Sequence, residues 1–244
     1  MRFFVRLSYL GTEYHGWQYQ PNAMSVQEKL EKAFSIVLQT KTDITGAGRT
    51  DTGVHAKNFV AHFDMDNSVF ENNLPLLIYK LNSLLPKDIS IHDIYNVANE
   101  AHARFDAKKR TYQYFIATEK DPFKINTAWL RLGDLDIALM NKAGEMLKEY
   151  NDFTSFAKLH ADAKTNICDL MKAEWTKEGN LYVFEISADR FLRNMVRAIV
   201  GTMVDLGRHK ITLEDFKRII ESENRNNAGV SAAAEGLFLV EILY

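Results

Sequence analysis

The order of apolar periodicities constrains this chain most, because a spacing of two demands strands and a spacing near 3.6 demands helices. Residues 2–10 alternate apolar and polar around Phe4 and Leu7 and predict a strand. Ser25 followed by Glu28 is a capping-box pattern, opening a helix with Val26, Leu30, Ala33, Phe34, Val37 and Leu38 on one face. Strands are predicted over 42–47 and 58–65, then a helix over 72–84 stopped before Pro86, then a strand over 88–97. The second half repeats the order. A strand over 109–118 leads to a helix from Asp134 to Tyr150, and strands follow over 169–176 and 181–188. A long helix over 190–207, a short helix capped by Thr212 and a last strand over 236–243 complete it. The expectation is an α+β chain of two ferredoxin-like β-α-β-β-α-β halves, 1–105 and 106–244. A mainly antiparallel sheet would join them, with a cleft between.

With 244 residues, 46% of them hydrophobic, such a chain can bury a substantial core. Cys168 is the only cysteine, so neither a disulfide framework nor a cysteine-rich zinc site can be drawn. The basic, apolar start Met1–Arg6 lacks the long apolar stretch of a signal peptide. No apolar run approaches the roughly 18 residues that span a bilayer. A cytoplasmic protein without membrane contact is expected. Net charge is −2, which speaks against a nucleic-acid partner only if charge is evenly spread. It is not: residues 190–210 hold Arg190, Arg193, Arg197, Arg208 and Lys210 against Asp205 alone, a local +4 beside −6 elsewhere.

The densest polar segment is Gly46-Ala47-Gly48-Arg49-Thr50-Asp51-Thr52-Gly53-Val54-His55-Ala56. Its glycines permit tight turns and close approach of a ligand to backbone. A dinucleotide fingerprint would need glycine where Asp51 stands, and a P-loop would need lysine where Val54 stands. A polar turn with Asp51 and Thr52 bonding locally is the plain alternative. Against it stand Arg49 and Asp51 in one short loop, with His55 and His62 close behind, a density of polar groups that is costly unless they serve one another or a ligand.

This segment resembles the signature of the TruA family of tRNA pseudouridine synthases, and other landmarks keep that family's order. They are Gly16-Trp17-Gln18-Tyr19-Gln20, Asn82-Ser83-Leu84-Leu85-Pro86-Lys87-Asp88-Ile89, and His102-Ala103-Arg104-Phe105 with Arg110-Thr111-Tyr112-Gln113-Tyr114. Asp152-Phe153-Thr154-Ser155-Phe156, Met195-Val196-Arg197 and Glu235-Gly236-Leu237-Phe238-Leu239 follow. The resemblance implies isomerisation of uridine to pseudouridine in the anticodon stem-loop of tRNA, at positions 38–40, by a cofactor-free homodimer. It implies that Asp51 is the catalytic carboxylate and Arg197 the arginine paired with it. Tyr112 would stack on the target uracil, although a strand tyrosine on one face with Tyr114 also fits a core role. Arg49 would hold phosphate or the flipped nucleotide, and His55, Arg104, Arg110, Arg190 and Arg193 would complete the RNA contacts. Arg190, Arg193 and Arg197, spaced three and four, would share one face of the 190–207 helix, which could equally be a solvated face.

No histidine pair has metal-ligand spacing with an acidic partner, and Cys168 carries no mark of an activated thiol, so no metal is expected. Two departures from the family pattern stand out: Cys168 takes the place of a usual arginine in the 164–170 segment, and Arg190 that of a small residue. A synthase acting on other tRNA positions or another RNA would use the same motifs. A non-catalytic RNA-binding or tRNA-chaperone protein is the alternative from another class.

Overall fold

A computed structural model describes residues 1–66, 70, 72–158 and 165–244. The chain is α+β and divides into two compact units, residues 1–108 with 239–244, and residues 109–238.

In the first unit β1 (Arg2–Tyr9) is central. It pairs antiparallel with β3 (His55–Asp64) on one side and with β4 (Ile89–Val97) on the other. A two-residue β2 (Thr45–Gly46) adds to β3, Thr45 opposite His62. Helix α1 (Val26–Leu38) starts where Ser25 Oγ accepts the Glu28 N–H, and ends at Gln39 in the left-handed region. Helix α2 (Leu74–Leu84) is capped by Asn73 and stops at Leu85, which is extended because Pro86 follows. Val26, Leu30, Ala33, Phe34 and Leu38 are buried as expected, whereas Val37 is only half-buried. Phe34 meets Phe63 edge-on, and Phe63 stacks on Phe3, so helix and sheet share one aromatic core. The observed β3 begins three residues before the expected position, which places His55 in the strand.

The second unit opens with β5 (Lys109–Ala117), antiparallel to β8 (Leu181–Ala188), itself antiparallel to β7 (Leu170–Glu178). A short β6 (Trp129–Leu130) runs parallel to β5. Helix α3 (Ile137–Leu147) is capped by Asp136, so it starts later than the expected Asp134 and ends before Tyr150. Helix α4 (Met195–Gly207) is buried on nearly every side, and α5 (Leu213–Glu221) carries a reciprocal Thr212–Asp215 capping box. The last strand, β9 (Leu237–Leu243), returns residues 239–244 to the first unit.

Each unit uses one asparagine in the same way. The Asn82 amide on α2 exchanges two 2.8 Å hydrogen bonds with the backbone of Ile91. On α3, Asn141 does likewise with Trp175, at 3.0 and 2.7 Å. A side-chain amide has the donor and acceptor of a peptide, so it can satisfy a strand that lacks a neighbour there.

The expected 190–207 helix needs correction. α4 starts at Met195, because Asn194 adopts φ 66°, ψ 1° and breaks any helical approach. Asn tolerates that region, and here its amide is held by Ser231 Oγ at 2.7 Å. Asp189 also closes a turn upstream, its Oδ1 accepting from the N–H groups of Arg190 and Asp169. Arg190 and Arg193 therefore precede the helix, and no helical face carries all three arginines.

Candidate active-site loop and its surroundings

The chain from Gly46 to His55 is a loop whose backbone is fixed at both ends. At its start Gly46 lies so close to Trp17 that a Cβ would stand 2.4 Å from the indole nitrogen. Further on, Trp17 N–H donates to Thr50 O at 3.3 Å, and Thr50 Oγ1 is 2.9 Å from the Tyr9 hydroxyl. Gly16, at φ +87°, allows this approach, since any Cβ there would sit 2.3 Å from Thr50 O. Beyond Asp51, the Val54 N–H closes a tight turn onto Asp51 O, with Gly53 at φ +77°. Gly53 N–H donates to Tyr14 O at 3.2 Å. Finally His55, fully buried, accepts the Gly11 N–H on Nδ1 at 2.8 Å.

Asp51 is thus half-buried in a loop braced on either side by residues 11–17. The brace has a brace of its own. Tyr14 donates its hydroxyl to Asp88 Oδ1 at 2.8 Å, and Leu10 N–H donates to Asp88 O. Burial, then the bond to Asp88, raises the Tyr14 pKa, which keeps the hydroxyl a donor. The Gly16-Trp17 and Asn82…Asp88 landmarks are therefore scaffolding for the Asp51 loop. The sequence displayed them without showing what they hold.

Beside this loop is a pocket of about 140 Å³ lined by Arg49, Gly48, Trp17, Gln27 and Arg104, among others. Arg49 and Arg104, distant in sequence, come together at it, and both are exposed. The Gln27 amide, bonded to Ile44 O and Tyr19 N–H, holds a wall in place. His55 is placed differently from a ligand contact, since its buried ring ties Gly11 to the start of β3. His62, which the sequence showed only as part of a polar cluster, is buried and accepts the Ala103 N–H at 3.1 Å.

In the second unit Tyr112 is half-buried on β5, its ring meeting Phe191 edge-on at 5.1 Å. Tyr114, on the same face by sequence, is fully buried, with its hydroxyl on Ala233 O at 2.7 Å. Of the two, Tyr114 is the core tyrosine. Arg110 donates to Asp189 O at 2.7 Å, Arg190 is half-buried and Arg193 exposed. Arg197 Nε donates to Ala232 O at 2.7 Å, and Ala232 N–H returns a bond to Arg197 O. That pair pins the guanidinium stem to the 231–233 segment. In the Asp152–Phe156 landmark, Phe153 and Phe156 are fully buried and Ser155 bonds Ile219 O, which is a packing role. Cys168 is buried, and burial pushes its thiol up to about 12, so it stays protonated at neutral pH. Lys164, in the segment where the sequence departs from the family, lies outside the described residues. Among the described residues no three His, Cys, Asp or Glu side chains are grouped to hold a metal, and no helix is long and apolar enough to cross a membrane.

Comparison with known proteins fits this arrangement. A family model described as tRNA pseudouridine synthase matches residues 149–244. The chain is 50% identical over 243 residues to tRNA pseudouridine synthase A of Parabacteroides distasonis, covering 100% of this chain and 96% of that one. To the protein of the same name from Bacteroides fragilis it is 52% identical over 244 residues, with 100% and 96% covered. The Bacteroides thetaiotaomicron relative is 52% identical over 246 residues, with 100% and 90% covered. This chain belongs to the TruA family of tRNA pseudouridine synthases, which are isomerases.

Proposed function

We propose that this protein converts uridine to pseudouridine in the anticodon stem-loop of tRNA, at positions 38–40, acting in the cytoplasm as a homodimer without a cofactor. The reaction breaks the N1–C1′ bond, turns the base and joins C5 to C1′, with the C5 proton lost and N1 reprotonated. Asp51 is the catalytic carboxylate in this reading. It either attacks covalently or takes a sugar proton, and both routes need the ionised form. Arg197 is the arginine that keeps it ionised and oriented. Tyr112 stacks on the extruded uracil, whose removal from the RNA stack costs a few kcal/mol. Arg49, Arg104, Arg110, Arg190 and Arg193 supply cations for phosphate and base, and His55 holds the loop from beneath.

The observation that carries the reading is the Asp51 loop, which fixes a carboxylate on rigid backbone next to a pocket flanked by two arginines. The experiment is chemical mapping of pseudouridine in an unmodified tRNA transcript incubated with wild type and with Asp51→Asn. Wild type should form pseudouridine at positions 38–40. The variant should bind tRNA within about tenfold, roughly 1.4 kcal/mol, and form none. Product from the variant at near wild-type rate removes Asp51 from this role, and product elsewhere in the tRNA moves the target.

A further inference from the structure

The loop from Ala101 to Asp106 is locked to an unusual degree for a surface turn. Ala101 O accepts from the Arg2 guanidinium at 3.0 Å, and His102 N–H donates to Asp106 Oδ2 at 2.7 Å. The Ala103 peptides are held by two residues from elsewhere in the chain. His62 Nδ1 takes the N–H, and the Tyr244 hydroxyl donates to the carbonyl at 2.8 Å. Next, His102 Nδ1 accepts from the N–H groups of both Arg104 and Phe105, and Asp106 N–H returns to His102 O. Every residue of the turn has a backbone group tied down.

At the tip of this turn is a large apolar ring in water. Phe105 is 75% exposed, against 0% for Ala103 two residues earlier. Its ring lies 4.3 Å from that of His102, and the Arg104 guanidinium sits 5.7 Å from its centroid. Arg104 also lines the pocket that Arg49 lines, beside the Asp51 loop. An exposed phenyl ring with a guanidinium beside it, on a support that needs no further ordering, has the features of a stacking platform for a nucleobase. The neighbouring cations select for a partner that also carries phosphate.

We propose that Phe105 and Arg104 form a second nucleotide contact, in which an unpaired base of the RNA stacks on the Phe105 ring while Arg104 holds the adjoining phosphate. This rests on the reading that the protein acts on RNA, and adds to the target-uridine contact a separate grip on a flanking, unstacked nucleotide. His62, His102 and Tyr244 are positioning residues for that grip. They hold the loop backbone, the His102 ring lying also against that of Phe105, and act on the RNA through Arg104 and Phe105.

The test measures binding of an unmodified tRNA transcript to the full chain at fixed salt, with KM and kcat from single-time-course pseudouridine formation. The variants are Phe105→Ala, Phe105→Leu and Phe105→Trp. Stacking predicts that Ala and Leu each weaken binding about tenfold, while Trp binds as wild type or tighter. The loss should appear in KM, with kcat within about twofold and the melting temperature unchanged, since the ring is mostly exposed. Binding of the Ala variant within twofold of wild type overturns the proposal. So does a Leu variant that binds like wild type, which would show that apolar area without a π face suffices. An Ala variant with unchanged affinity but altered sedimentation also overturns it, because Phe105 would then be a protein–protein contact. Loss of binding and melting temperature in all three variants would mark a structural role instead. A wild-type protein that forms no pseudouridine sinks the functional reading, whereas normal activity with an inert Phe105 sinks only this inference.

Discussion

His62 makes the stability of the first unit depend on pH in a way that can be worked out in advance. The residue is 6% exposed, and its Nδ1 is occupied as an acceptor by the Ala103 N–H. Burial above all, then the positive charges of Arg2 and His102, lowers its pKa from 6.5 to about 4, while Asp64 and Asp106 act in the opposite sense. The folded chain therefore keeps a neutral imidazole where the unfolded chain takes up a proton. Stability from this group is complete above pH 6.5 and declines as pH falls toward 4. At about 1.4 kcal/mol per pKa unit, the loss is about 2 kcal/mol by pH 5 and about 3 kcal/mol by pH 4. His62→Asn leaves an acceptor near the Nδ1 position and abolishes the titration. Urea unfolding of wild type and variant, followed by far-UV circular dichroism between pH 7 and pH 4.5, isolates the His62 contribution as a difference. Whatever the variant's stability at pH 7, it should lose about 2 kcal/mol less than wild type on going to pH 5. Parallel stability curves, within about 0.5 kcal/mol across that range, would refute the assignment, because a histidine neutral in the fold cannot be removed without changing the slope.

Tyr14→Phe removes the hydroxyl from Asp88 while keeping the ring, and should cost about 1.5–3 kcal/mol in unfolding free energy. Because Gly53 stands on the Tyr14 carbonyl, kcat should fall as well, measurable by pseudouridine formation at saturating tRNA. Tyr112→Phe keeps the stacking ring and its edge contact with Phe191 but removes the hydroxyl that would help take the C5 proton, so tRNA binding should survive while turnover drops; equal loss of both would show a packing role. Arg197→Lys loses the Nε bond to Ala232 O, so activity should drop and stability fall by about 1 kcal/mol with the circular dichroism spectrum unchanged. tRNA affinity should decline steeply with salt, and Arg49→Ala and Arg104→Ala should each flatten the slope of log K against log salt by up to about one; an unchanged slope in the double variant would place the phosphates elsewhere.

Local patterns in the sequence determined the elements and the chemistry-bearing loop. Period-two and period-3.6 spacing placed the strands and helices, and Ser25, Pro86 and Thr212 marked ends that local backbone rules fix. The loop around Asp51 was legible because its glycines and polar residues are contiguous. What distance in the chain separates, only the tertiary structure could decide. Asn194 and Asp189 halt the helix that arginine spacing suggested, and they do so through Ser231 and the Asp169 N–H, partners no sequence window contains. Tyr112 and Tyr114 read alike as strand residues, until Ala233 claimed one hydroxyl and Phe191 met the other ring. His62 and Tyr244 show the same limit. Their hydrogen bonds to Ala103 span 41 and 141 residues, and periodicity carries no information about which distant backbone groups a folded chain must satisfy.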